Sequence, residues 1–286
     1  MDLENKVAIV TGAGRGIGRI ISLAYAKKGV RLVLASRTIT ELEDVSSEIL
    51  SLGAKSVMRK TDISSKTDVE ELVNLTMEEF GRIDILVNNA GIVGPIGLVE
   101  NNDISKWINT ININLIGTFL LIHRILPIMK SEGSGKIINL AGGGGCSARP
   151  RFSGYASSKA AIIRLTETIA EETIGSNISI NAITPGTVYT RATKEIEDAG
   201  KDMGATAINE ISNLKQGKGT DIKKVEALAL FLASDISNKI TGRIISAAYD
   251  DWELISSCVE TLPEDFYKLR RVDYFNFEKV SKFISG

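Results

Sequence analysis

The apolar positions of this chain fall into two patterns that alternate along its length. Short runs at residues 7–10, 31–35, 56–60, 85–87, 136–140 and 178–183 read as buried strands. Between them lie longer stretches, such as 40–52 and 66–80, in which apolar residues recur at helical spacing. Strand then helix, repeated to about residue 250, predicts a parallel sheet covered on both faces. The expected architecture is α/β, doubly wound and Rossmann-type, in one domain with ligands at the carboxyl ends of the strands. Two regions break the alternation. Residues 190–219 are polar and hold Gly200, Gly204, Gly217 and Gly219, which predicts a mobile segment over the site. Residues 250–286 carry Trp252, Phe266, Tyr267, Tyr274, Phe275, Phe277 and Phe283. Bare aromatics at that density would form a sticky patch, so a C-terminal extension packed on the domain or on an oligomer interface is expected.

Composition narrows the function classes. The 286 residues are 43% hydrophobic and 24% charged, with a formal net charge of −1. That length supports one large core, and the near-zero charge offers no footprint for nucleic acid or an anionic membrane. Two cysteines, Cys146 and Cys258, are too few for a disulfide framework and fit a reducing compartment. The charged N-terminus resembles neither a signal nor a transit peptide. No apolar run approaches the ~20 residues of a membrane span. The expectation is a soluble, cytoplasmic protein. No cluster of Cys, His and carboxylates has metal-ligand spacing.

Two motifs carry chemistry. Val7-Ala8-Ile9-Val10 leads into Thr11-Gly12-Ala13-Gly14-Arg15-Gly16-Ile17-Gly18, the strand, glycine loop and helix start that a dinucleotide fingerprint requires. Glycines let the backbone approach a pyrophosphate, and the helix N-terminus supplies unpaired N–H donors. Much further along, Tyr155 and Lys159 stand four apart on one helix face. A free phenol, with a pKa near 10, is a poor proton donor at neutral pH, and a neighbouring cation favours its phenolate. The Tyr–Lys spacing alone is weak evidence; joined to a dinucleotide fingerprint upstream it becomes strong.

The glycine spacing, Gly-x-x-x-Gly-x-Gly, resembles that of the short-chain dehydrogenase/reductase family, and the resemblance extends over about residues 5–247. It implies that Thr11, Gly12, Gly14, Arg15, Gly16, Ile17 and Gly18 form the cofactor loop. Asp62, with Ile63, would meet the adenine; Asn89, Ala90 and Gly91 would border its ribose. Pro185, Gly186, Val188 and Thr190 would meet the nicotinamide. Residues 1–249 would be the cofactor-binding and catalytic domain. Tyr155 would be the general acid or base, Lys159 would bind the nicotinamide ribose and lower the phenol pKa, and Asn114 would hold a water of the proton relay. Ser36 and Arg37 close the second strand without the carboxylate that would repel a 2′-phosphate. With Arg15 nearby, two guanidinium groups favour NADP(H) over NAD(H).

One family position is not met. The catalytic serine should lie thirteen residues before the tyrosine, where this chain has Gly142, in Ala141-Gly142-Gly143-Gly144-Gly145. That hydroxyl donates to the substrate oxygen, and one such donor is worth about 2.7–4 kcal/mol of transition-state stabilisation. Three readings stay open: Ser147 or Ser153 substitutes, backbone N–H groups of the glycine run serve, or the chain is a silent NADP(H)-binding sensor or scaffold. A sugar-nucleotide epimerase of the extended branch is disfavoured by the short C-terminal region. Cys146 is read as packing or loop lining and His123 as a helix-interface residue. Substrate choice would reside in 92–99, 143–153 and 188–219, where Arg149 and Arg151 face either an acidic group or solvent. The resemblance also implies a homo-oligomer built on helices 104–130 and 154–174, a dimer before a tetramer.

Overall fold

The computed structural model describes residues 2–271. Seven parallel strands form one sheet: β1 (Val7–Thr11), β2 (Arg31–Ser36), β3 (Ser56–Lys60), β4 (Ile85–Asn88), β5 (Gly135–Leu140), β6 (Ile178–Thr184) and β7 (Ile244–Ser246), in the order β3-β2-β1-β4-β5-β6-β7. The order reverses between β1 and β4, which opens a crevice above their carboxyl ends. The helices are α1 (Gly16–Ala26), α2 (Ile39–Ser51), α3 (Lys66–Phe80), α4 (Ile104–Ile111), α5 (Gly117–Glu132), α6 (Ser153–Glu172), α7 (Arg191–Asp198), α8 (Gly204–Lys215), α9 (Ile222–Ala233) and α10 (Trp252–Cys258).

Alternate residues of each central strand feed two different cores. Ala8, Val10, Leu32 and Leu34 join Ile21, Tyr25, Leu42 and Phe231 beneath α1, α2 and α9. Ile9 and Val33 join Leu72, Val73, Ile122 and Ile125 beneath α3 and α5. Both sheet faces are therefore apolar, which is why the strands appear in sequence as runs rather than alternations. This is the doubly wound fold expected.

Three features add to this frame. A π-helical turn at Asn112–Ile116 joins α4 to α5, giving a helical run, Ile104–Glu132, that is long and apolar enough by length and composition to cross a membrane. In the fold its Leu121, Ile122, Ile125 and Met129 are buried against the sheet side, whereas Ile104, Ile108, Ile116 and Phe119 face outward. Second, 190–219 is no polar loop but two helices, α7 and α8, bridged by a 3-10 turn. Gly200 and Gly204 (φ 57° and 75°) make its corner, in backbone conformations that side chains disfavour. Ile196, Met203, Ala207 and Ile211 pack there on Val93 and Phe152.

Third, the C-terminal segment docks on the sheet edge. Ile244 N–H of β7 donates to the Tyr267 carbonyl (2.7 Å), and Trp252, Val259, Leu262 and Tyr267 pack on the larger core. Arg270 reaches Glu167 on α6, and Arg164 donates to the Leu269 carbonyl at 2.6 Å. The aromatic residues Tyr274, Phe275, Phe277 and Phe283 lie outside the described residues.

Candidate active site

A cavity of about 530 Å³ opens at the carboxyl ends of β1, β2, β4, β5 and β6. Its floor is the glycine loop. Gly12 has φ 63°, and a methyl group there would lie 2.8 Å from Asn89 Nδ2. One at Gly18 would collide with the Gly12 carbonyl. Thr11 Oγ1 accepts from the Asn89 and Ala90 N–H groups (3.0 and 3.1 Å) and donates to Val87 O, while Asn89 Nδ2 donates back to Thr11 O at 2.8 Å. These bonds lock the ends of β1 and β4 together. Gly12, Gly14, Arg15, Gly16 and Ile17 line the cavity beside the start of α1; Thr11 and Gly18 brace it from behind.

At the β2 end the two expected cations differ. Ser36 Oγ is held in a local turn with Thr38. Arg37 is exposed, lines the cavity and has no ion pair or hydrogen bond among the described residues. Arg15 is engaged instead: its Nη1 pairs with Glu41 Oε1 at 2.6 Å. Asp62 accepts from Ser64 N and Oγ, and lines the cavity with Ile63. Ala90, Gly91, Pro185, Gly186, Val188 and Thr190 close the wall. Thr190 also caps α7, which places that helix start across from Gly16.

Tyr155, Lys159 and Gly142 meet at the end of β5. The Tyr155 hydroxyl stands so close over Gly142 that a methyl group there would lie only 2.5 Å from it. The phenol thus fills the room a serine would use. Burial pushes the phenol pKa up, opposed by Arg149 and assisted by Glu210. The downward pull expected from Lys159 does not prevail. Lys159 Nζ donates to Leu140 O at 2.7 Å, lies 5.7 Å from the Tyr155 ring centre, and is itself depressed by burial to about 8. Asn114 is fully buried at the π-turn. Its side chain accepts from Ile92 N (2.8 Å) and donates to Ile92 O and Ser158 Oγ (2.9 and 3.0 Å). Those bonds commit the side chain to holding the loop after β4.

The substitute serines are elsewhere. Ser153 Oγ faces Trp107 and Asn102, and Ser147 Oγ turns back to Gly143 O; neither lines the cavity. Gly143 does line it, and its N–H makes no hydrogen bond among the described residues. Cys146 is exposed outside the cavity rather than packed, and His123 lies exposed against Phe119 on α5.

Glu41 lies outside every segment assigned to the site from sequence, whereas Phe152, Ile196, Glu210 and Ile211 fall within 143–153 and 188–219 without being named; all five line the cavity. Glu210 forms a two-pronged ion pair with Arg149 (3.0 and 2.5 Å), whose guanidinium stacks 4.7 Å above the Phe152 ring. Glu41 had a signal: it sits in the first turn of α2, just past the end of β2.

A doubly wound sheet with a glycine cradle at its switch point, and a Tyr–Lys pair beside it, defines a dinucleotide-dependent oxidoreductase class. The comparisons narrow this to a family. The short chain dehydrogenase family model matches residues 6–201. A 3-oxoacyl-[acyl-carrier-protein] reductase from Thermotoga maritima is 34% identical over 245 residues, covering 86% of this chain and 97% of that protein. NAD+-bound xylitol dehydrogenase superposes with a TM-score of 0.80 at 28% identity, covering 86% and 98% of the two chains. Actinorhodin polyketide ketoreductase with NADPH does so at 0.78 and 26%, covering 85% and 95%. The chain belongs to the short-chain dehydrogenase/reductase family of oxidoreductases.

Proposed function

We propose that the chain is an NADP(H)-dependent oxidoreductase that interconverts a carbonyl compound and a secondary alcohol, with Tyr155 as proton donor in reduction and acceptor in oxidation. The observation that carries it is the Tyr155 hydroxyl, presented to the cavity over Gly142 beside Lys159. A silent binder would have no use for a phenol held there, and the same contact gives Gly142 a reason other than decay.

The residues fit the cofactor. Gly12, Gly14, Gly16 and the start of α1 form a cradle that side chains would obstruct. Arg37, unpaired at the β2 end, suits a 2′-phosphate; Arg15, held by Glu41, contributes less than its sequence position suggests. Asp62 and Ile63 would border the adenine, Asn89, Ala90 and Gly91 its ribose, and Pro185, Gly186, Val188 and Thr190 the nicotinamide. Bound nicotinamide supplies or accepts the hydride. The chain does the rest: Lys159 orients the ribose, Tyr155 moves the proton, and Asn114 holds the loop after β4 in place. Gly143 N–H is the donor left for the substrate oxygen in place of the absent serine. The exposed stripe Ile104, Ile108, Ile116 and Phe119 supports a homodimer through the α4–α5 run. A cytoplasmic location fits the same reading.

The test follows nicotinamide absorbance with NADPH and NADH against ketones, diketones, quinones and aldehydes, for the wild type and Tyr155→Phe. The expected result is NADPH-dependent turnover that falls at least ~100-fold in the Phe variant with cofactor binding retained. Turnover that survives Tyr155→Phe would sink the assignment.

A further inference from the structure

The charges around the cavity are distributed unevenly. At the β2 end Arg37 is unpaired. At the opposite end both lining guanidinium groups have carboxylate partners, and the buried lysine is bonded to a carbonyl. Arg149 is gripped by both oxygens of Glu210, Arg191 pairs with Glu195 at 3.3 Å, and Lys159 Nζ is bonded to Leu140 O. Around the Arg149–Glu210 pair the wall is apolar: Val93, Phe152, Ile196 and Ile211. The pair is partly withdrawn from water, with side-chain exposures of 16% and 30%.

An anionic substrate entering beside Tyr155 would meet no unpaired guanidinium, and the Lys159 ammonium is buried and turned to Leu140 O. To use Arg149 it would have to break a bidentate pair, leaving Glu210 unpaired and facing the substrate's own negative charge. Such a like-charge contact discriminates strongly where water is scarce. An uncharged carbonyl compound meets no such obstacle, and its apolar remainder matches the wall.

We propose that the Arg149–Glu210 pair sets the charge class of the substrate. The site takes an uncharged carbonyl compound or alcohol, and Glu210, from α8, is the residue that rejects carboxylates and phosphates. The inference rests on the oxidoreductase reading above and adds the substrate class to it. It also resolves the double role left open for Arg149: the arginine is a latch to α8, not an anion receptor.

A matched pair of probes tests it: ethyl acetoacetate, neutral, and acetoacetate, its carboxylate. Values of kcat/KM are measured with NADPH for the wild type, Glu210→Gln, and Glu210→Gln with Arg149→Met. Calorimetry on the NADP-loaded proteins reads the same ratio as dissociation constants. The wild type is expected to favour the ester by about tenfold or more, the ratio equivalent to ~1.4 kcal/mol. Glu210→Gln frees Arg149 and shifts the ratio toward the acid by a similar factor; adding Arg149→Met reverses that shift. A ratio, unlike absolute activity, is not moved by simple loosening of α8. Preference of the wild type for the acid, a ratio unchanged by Glu210→Gln, or failure of the ester to bind each overturn the proposal. Charge-selective binding without turnover would support it while sinking the oxidoreductase reading.

Discussion

Restoring the family's serine at Gly142 should harm this protein rather than help it. By simple replacement logic, Gly142→Ser returns a donor worth about 2.7–4 kcal/mol. The geometry opposes this. The new Cβ would lie 2.5 Å from the Tyr155 hydroxyl, 3.3 Å from Cζ and 3.5 Å from Cε1. Ordinary contact requires the hydroxyl to retreat by nearly 1 Å, and a displacement of that size at a reacting atom can cost ~100-fold. Overpacking adds about 1–3 kcal/mol of destabilisation. The backbone is not the obstacle, because Gly142 is extended (φ −177°) and any residue can adopt that conformation. Gly142→Ala carries the same clash without the hydroxyl and serves as control. The assay compares kcat for the best substrate of the carbonyl panel among wild type, Gly142→Ser and Gly142→Ala, with NADPH affinity and Tm measured alongside. Both variants should lose about 10- to 100-fold in kcat with cofactor affinity retained. A Gly142→Ser enzyme that outpaces the wild type would refute the reasoning and restore the view of Gly142 as a simple loss.

Two further outcomes are expected. Arg37→Ala should raise the KM for NADPH by about 10- to 100-fold, the worth of one charge-assisted contact, with a much smaller change for NADH; equal effects on both would remove Arg37 from the 2′-phosphate. In pH profiles, reduction needs the Tyr155 proton and the Lys159 charge, so activity is present on the acid side and lost as pH rises. Because burial raises the phenol pKa and lowers that of Lys159 to about 8, the bend near pH 8 belongs to the lysine. Lys159→Arg should move it upward, and a bend that stays put would disprove that assignment.

The fold was largely legible in sequence because five strands are buried on both faces, so each appears as a compact apolar run; β3, read as a buried strand, is an edge strand that is only partly buried. β7 shows no apolar run of its own because three residues, Ile244–Ser246, are too few to make a pattern. The segment 190–219 looked like a loop for a related reason. α7 buries only Ile196, and α8 only Ala207 and Ile211, so no apolar face repeats often enough to reveal a helix. Gly12, Tyr155 and Lys159 could be placed because their chemistry depends on local spacing. The pairs Arg15–Glu41 and Arg149–Glu210 could not, since 26 and 61 residues separate the partners and only the tertiary fold brings them together. That is also why Arg15 looked like a free cation.

The segment docked along β7 has a consequence for how copies of this chain can meet. An outermost strand is a row of open backbone groups on which another chain can add its own. Here the Tyr267 carbonyl occupies Ile244 N–H, Arg243 reaches the Glu264 and Phe266 carbonyls, and Leu269 packs beside Ile244. The chain supplies its own terminator. The β7 rim is thereby covered from within, so the homodimer proposed above would meet through the apolar stripe on the α4–α5 run rather than by adding strands here.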